Sequence, residues 1–318
     1  DHHYKIISSE EFWGNIKKVQ YHMDQPLADP SCIALYFVSK IASEHVKVVL
    51  SGEGADELFG GYQDYNNPVV FKNYRKLPQG LRTWLKNTAQ KHEKSFKGQG
   101  FVTRGELSVE KFFYGNARMF DVHQKRRLLK DPSIATNPIH MAQPLYDRVK
   151  GLDDVTKMQY IDINLWMIGD ILLKADRMSM ANSLELRVPF LDKKVFEVAS
   201  KIPARLRVNK TETKMALRKA AQRRMPVETA QKDKLGFPVP TRVWLKDEKY
   251  YNIVKQAFHS DIAKKFFNVD ELMYYLDGHK NNIRDYSRMV WTVFIFIVWY
   301  DIYFNGASHD EGDLPIIQ

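Results

Sequence analysis

Apolar positions along this chain change their spacing near Gly61. Before it, short apolar runs alternate with helical stretches; after it, the spacing is helical almost to the end. Tyr4–Ile7 reads as a short strand and Glu10–His22 as a helix. An irregular polar stretch follows, Asp24-Gln25-Pro26-Leu27-Ala28-Asp29-Pro30. Ser31 is the expected N-cap of a helix carrying Ile33, Leu35, Phe37, Val38 and Ile41. Val46-Lys47-Val48-Val49-Leu50 is the clearest strand, β-branched and continuous, the pattern of a strand buried on both faces of a parallel sheet. Strand, helix and strand in this order predict a βαβ unit.

Beyond Gly61, Met158, Ile161, Leu165 and Ile168 recur at helical spacing, with Gly169 expected to break or bend that helix. Asp192 is placed to cap a helix carrying Val195, Phe196 and Ala199. Thr211 is expected to start another containing Met215, Ala216 and Ala220, and Tyr286–Tyr303 to form the last. The polar, acidic tail 306–318 reads as loose.

With 318 residues, 44% of them hydrophobic, the chain can bury a core as one large domain or two smaller ones. The single cysteine, Cys32, excludes a disulfide framework and fits a reducing compartment. The apolar run Val290–Tyr300 is shorter than the roughly 20 residues of a membrane span and reads as a buried helix. With no run resembling a signal peptide, the expectation is a soluble, cytoplasmic protein with no membrane partner.

The net charge of +10 is concentrated. Between Phe71 and Lys130 stand 15 Lys/Arg and 4 Asp/Glu, including Lys91-His92-Glu93-Lys94, Lys97 and Lys125-Arg126-Arg127, so the rest of the chain is close to neutral. Such a segment can attract RNA or polyphosphate. A solvated helical face is the expected reading, and nucleic acid is not the expected partner.

Candidate chemistry gathers in Leu50-Ser51-Gly52-Glu53-Gly54-Ala55-Asp56-Glu57-Leu58-Phe59-Gly60-Gly61-Tyr62. A strand ends at Leu50, glycines follow at alternate positions, and a helix begins near Ala55. Glycine lets backbone turn and approach a ligand, and open α/β sheets bind ligands at the carboxyl ends of their strands. Three carboxylates beside phosphates make sense if a hard cation mediates, and Mg²⁺ takes one or two carboxylates plus substrate phosphates. The alternative is that Asp56 and Glu57 only complement the helix dipole.

The run Ser51–Tyr62 resembles a signature of the asparagine synthetase B family. Further segments resemble that family in the same order: Lys174-Ala175-Asp176-Arg177-Met178-Ser179-Met180-Ala181, Leu186-Arg187-Val188-Pro189-Phe190-Leu191-Asp192, Lys210-Thr211-Glu212-Thr213-Lys214 and Lys234-Leu235-Gly236-Phe237-Pro238-Val239-Pro240. Upstream, Met23–Pro30 resembles its bacterial branch, so the likeness runs from Met23 to about Tyr303. The resemblance implies ATP-dependent amide formation: aspartate's side chain attacks the α-phosphate of ATP, giving an acyl-adenylate and pyrophosphate, and ammonia from a glutaminase domain displaces AMP. It implies that Leu50, Ser51 and Gly52 contact ATP, that Asp56 holds Mg²⁺ with pyrophosphate, that Glu53 assists ammonia's attack, and that Lys214 stabilises charge on the α-phosphate. The implied fold is α/β and predominantly helical, the remnant of an adenine-nucleotide α-hydrolase-like parallel sheet with a large helical region. The expected parts are a partial nucleotide-binding segment (1–62), a basic helical insertion (63–150), a helical part (151–305) and the tail.

Apart from the family, Lys214 reads as a solvated lysine. Asp176, Arg177 and Arg187 read as a buried ion-pair network, and Asp24 and Asp29 either shape an aspartate site or make turns. The family's Ser-Gly-Gly-x-Asp-Ser pyrophosphate loop and its Cys-nucleophile glutaminase domain are not found in this sequence. The expectation is therefore a C-terminal fragment, inactive alone, whose apolar sheet face near residues 1–60 drives self-association, with a homo-oligomer as one outcome. Two other readings stand beside it: a relative amidating or cyclising another carboxylate, and a non-catalytic RNA-binding protein.

Overall fold

Ser8 and Glu11 start the first helix with a capping box, the Ser8 hydroxyl accepting the Glu11 N–H and the Glu11 carboxylate accepting the Ser8 N–H, each at 3.1 Å. The computed structural model describes residues 1–91, 96, 98–116, 118–232, 236–310 and 312–317. His92, Glu93, Lys94 and Lys97 of the basic run, and Lys234 and Leu235 of the last motif, lie outside the described residues. The predicted Glu10–His22 helix is two helices, Ser9–Gly14 and Ile16–Met23, meeting at Asn15. There the Asn15 amide donates to the Glu11 carbonyl at 2.8 Å, a local bond of the kind that competes with the helix ladder.

The largest core joins these first helices to the end of the chain. Phe12 and Trp13 pack on Trp291, with Tyr250 stacked on Trp13 at 4.5 Å. The helix Ser287–Asn305 is long and apolar enough to cross a membrane, but it packs centrally here, with Val290, Trp291, Phe294, Ile297 and Val298 buried. A second core gathers Tyr65, Phe71, Phe112, Phe113, Tyr146, Met158 and Ile161. Within the terminal stretch the Gly312 N–H donates to the Gly14 carbonyl at 2.9 Å, and Ile317 is buried.

The sheet departs from the expected βαβ unit. Strand β1 (Val48–Leu50) pairs in parallel with β2 (Glu185–Arg187), in the register Val48 to Glu185 and Leu50 to Arg187. Its partner is thus a segment far along the chain. Tyr4–Ile7 forms no strand, and Tyr4 and Ile6 stand 77% and 83% exposed. Burial on both faces is also overturned, because Val48 is 43% and Leu50 73% exposed. Among the described residues two short strands cannot cover one another, so an apolar pattern meant for a sheet interior faces outward. The chain is mostly helical with this small parallel sheet.

Gly169 does not break its helix. The helix runs unbroken from Asp154 to Met180, with Asp162–Ile171 in π-helical form. Wide turns of this kind concentrate at functional sites. Two acids on this segment, Asp162 and Asp170, are buried. Asp162 accepts the Tyr65 hydroxyl at 2.6 Å and both the backbone and amide N–H of Asn116. Burial outweighs these bonds and pushes its carboxyl up to about 7. A carboxyl raised on folding gives stability that is present below its ordinary pKa and lost as pH rises to the folded value. The stability of the native protein minus that of Asp162→Asn, measured by denaturant unfolding, should therefore fall between about pH 4 and pH 7 and level off above. A difference constant across that range would show that Asp162 is ionised in the fold.

Part of the basic excess is committed within the fold. Arg75 bonds Asp154 at 3.2 Å, Arg104 pairs with Asp64 at 3.1 Å, and Lys86 with Glu106 at 3.2 Å.

Candidate active site

The loop after β1 is held at its root by pairing that continues past the strand. The Ser51 N–H donates to the Arg187 carbonyl at 2.8 Å. Gly54 has φ +87°, and a Cβ there would stand 2.2 Å from Leu191 Cδ2, so both conformation and space demand glycine. The helix expected near Ala55 spans Ala55–Phe59 and brings Asp56 to its first turn.

Lys214 arrives from a different element. The helix is Met215–Ala221, beginning after Lys214 rather than at Thr211, because Asn209 instead receives the Thr211 and Glu212 N–H groups in a turn. Lys214 itself has φ 54°, an uncommon backbone for a non-glycine residue, and its N–H donates to the Gly60 carbonyl at 3.1 Å. This anchor sets its ammonium 2.9 Å from Asp56 Oδ1. Gly61 runs directly beneath the pair, where a Cβ would meet Asp56 Oδ1 at 1.7 Å and Lys214 Cε at 2.2 Å.

Glu53, Asp56, Lys214 and Asp29 line one cavity of about 1020 Å³, together with Trp166 and Lys174. Leu50, Ser51 and Gly52 precede Glu53 on the same loop but are not among its lining residues. Glu57 turns inward instead: it is buried, and Tyr62 Oη donates to it at 2.6 Å while accepting Trp166 Nε1–H at 3.2 Å. Asp24 lies elsewhere, paired with Arg177 at 2.8 Å and accepting the Tyr303 hydroxyl at 3.1 Å.

The expected buried network of Asp176, Arg177 and Arg187 is not buried. Asp176 is exposed, Arg177 pairs with Asp24 near the surface, and Arg187 pairs with Glu185 on the open sheet. The buried ion cluster belongs to Lys174, whose ammonium bonds Asp29 and, at 3.0 Å, Asp170. Burial would raise the Asp29 carboxyl, but the Lys174 charge and bond, with the Ser31 N–H at 2.9 Å, hold it below the usual range. For Asp170 burial prevails over Lys174 and pushes the carboxyl up to about 7. The two carboxylates lift Lys174 above the ordinary lysine range despite its burial. Sequence reasoning assigned no role to Asp170 or Lys174, although an acid and a base four residues apart on an apolar helix signal a pair.

No cluster of three or more His, Cys, Asp or Glu converges as a metal centre among the described residues. Glu53 and Asp56 are nevertheless hard oxygen donors on one cavity, a set that suits Mg²⁺ when phosphates supply its other ligands.

A family profile described as Asparagine synthase matches residues 1–301. The chain is 44% identical over 300 residues to asparagine synthetase (glutamine-hydrolyzing) 1 of Bacillus subtilis (strain 168), covering 94% of this chain and 47% of that protein. It is 40% identical over 301 residues to a Mycobacterium tuberculosis protein provisionally named asparagine synthetase (glutamine-hydrolyzing), covering 94% of this chain and 46% of that protein. Asparagine synthetase (glutamine-hydrolyzing) 3 of Bacillus subtilis is 28% identical over 239 residues, covering 74% of this chain and 34% of that protein. The chain thus spans about half the length of the two more similar of these relatives. With a matched profile over nearly its whole length and these identities, the chain belongs to the asparagine synthase family.

Proposed function

We propose that the intact protein converts aspartate to asparagine at the expense of ATP, through a β-aspartyl-AMP intermediate and with ammonia derived from glutamine. The observation that carries this reading is the meeting of Glu53, Asp56 and Lys214, from segments some 150 residues apart in sequence, on the wall of one cavity. Leu50, Ser51 and Gly52 would present backbone and hydroxyl to the nucleotide at the carboxyl end of β1, where parallel sheets bind ligands. The parallel pairing of β1 and β2 supports reading them as strands of an adenine-nucleotide α-hydrolase-like sheet. Lys214 supplies a fixed cation for charge on the α-phosphate, and Glu53 a carboxylate to take a proton from attacking ammonia. Mg²⁺, when bound, neutralises phosphate charge, and Asp56 is the carboxylate to hold it with pyrophosphate. Asp29 and Lys174, which line the same cavity, are the residues that would face aspartate.

The test is pyrophosphate release from ATP by the intact protein. It is expected to require aspartate and to be followed by asparagine formation when glutamine or ammonium is added. ATP cleavage that ignores aspartate, or yields phosphate rather than pyrophosphate, would overturn the reading.

A further inference from the structure

We infer that Asp29, held by Lys174, receives the α-ammonium group of the amino-acid substrate. This assignment rests on the cavity being the amidation site proposed above, and it names the group that selects an α-amino acid there. Lys214, Arg218 and Lys232 line the cavity beside Glu53 and Asp56, and offer cations to phosphate oxygens. Asp29 and Lys174 line it too, and Lys174 also bonds Asp170, so two carboxylates share one ammonium.

That cluster has little access to water: the side chains of Lys174, Asp170 and Asp29 are 10%, 9% and 18% exposed. An uncompensated charge in such a place is costly, and a second cation offsets it. Asp29 is the member fixed for binding. Its Oδ1 accepts the Ser31 N–H and its Oδ2 accepts Lys174, which fixes the carboxylate at the cavity wall. Trp166 lines the same cavity with Lys174 6.0 Å from its ring, adding an aromatic face, which also attracts cations. Lys174 is then a positioning residue: it keeps Asp29 ionised and oriented without touching substrate.

The experiment compares aspartate with succinate, which carries both carboxylates and lacks the amine, in ATP-dependent pyrophosphate release by the intact protein. The native protein is expected to prefer aspartate strongly. Asp29→Asn should raise the aspartate KM by on the order of 10²-fold, leave the ATP KM and the succinate kcat/KM nearly unchanged, and so collapse the preference. Lys174→Met, which leaves the Asp29 carboxylate in place but unheld, should move the aspartate KM in the same direction by about tenfold at constant ATP KM. It gives an independent reading if Asp29→Asn folds poorly. Undiminished preference for aspartate in either folded variant overturns the assignment while leaving the proposed function standing. A native protein that releases no pyrophosphate with aspartate removes the proposed function itself.

Discussion

Glu53→Gln in the intact protein is expected to lower asparagine formation by roughly 10²–10⁴-fold, the range general-base catalysis contributes. Glutamine keeps the volume and the hydrogen-bonding reach of the side chain and loses only its proton-accepting charge. The loop around it should not move, because it is fixed by the Ser51–Arg187 bond and by Gly54 seated against Leu191. The loss should fall on the ammonia step, so aspartate-dependent pyrophosphate release should survive better than asparagine formation. Near-native asparagine turnover would leave Glu53 a structural residue of the loop.

Lys214→Ala is expected to cost about 10²–10³-fold in kcat, the scale for removing one preorganised charge partner of the transition state. The cation is placed by backbone rather than by its own flexibility: φ 54° at Lys214 and its N–H bond to Gly60 aim the side chain across Gly61 at Asp56. Removing the cation also takes the Lys214 ion pair from Asp56. Kinetics separate binding from transition-state stabilisation, and the prediction is a fall in kcat with a much smaller rise in the ATP KM. Equal losses in both would contradict the assigned role.

The shape of the loop was legible because it is local. Strand end, alternating glycines and acids occupy one short run, and the structure gives that run the turn and short helix its residues ask for. The helix of Ser31–His45 followed from spacing, although Pro30 and not Ser31 is its N-cap and makes no side-chain cap bond; the Asp192-capped helix Lys193–Ala199 followed from spacing and cap together. What failed was non-local. Nothing within Val46–Leu50 says that its neighbour is Glu185–Arg187, and Tyr4–Ile7 carries the strand pattern without a partner to satisfy it. Likewise, Asp29 and Lys174 look like a turn former and a motif lysine until the fold brings them together. Gly169 does not end its helix, which continues past it in π-helical and then α-helical form.

The pairing of β1 with β2 also has a consequence for the order of folding. The chain between positions 48 and 185 must close into a loop before they can meet, and closing so long a loop carries an entropic cost that local helices avoid. Contacts of that sequence separation slow the search for the native state. The helices can gather early from near neighbours, whereas the Phe12–Trp291 core and the Ser51–Arg187 clasp both wait for distant segments to dock. The loop that carries Glu53 and Asp56 is thus expected to take its shape after the local helices, and a substitution that loosens the clasp should act first on how fast the active form appears.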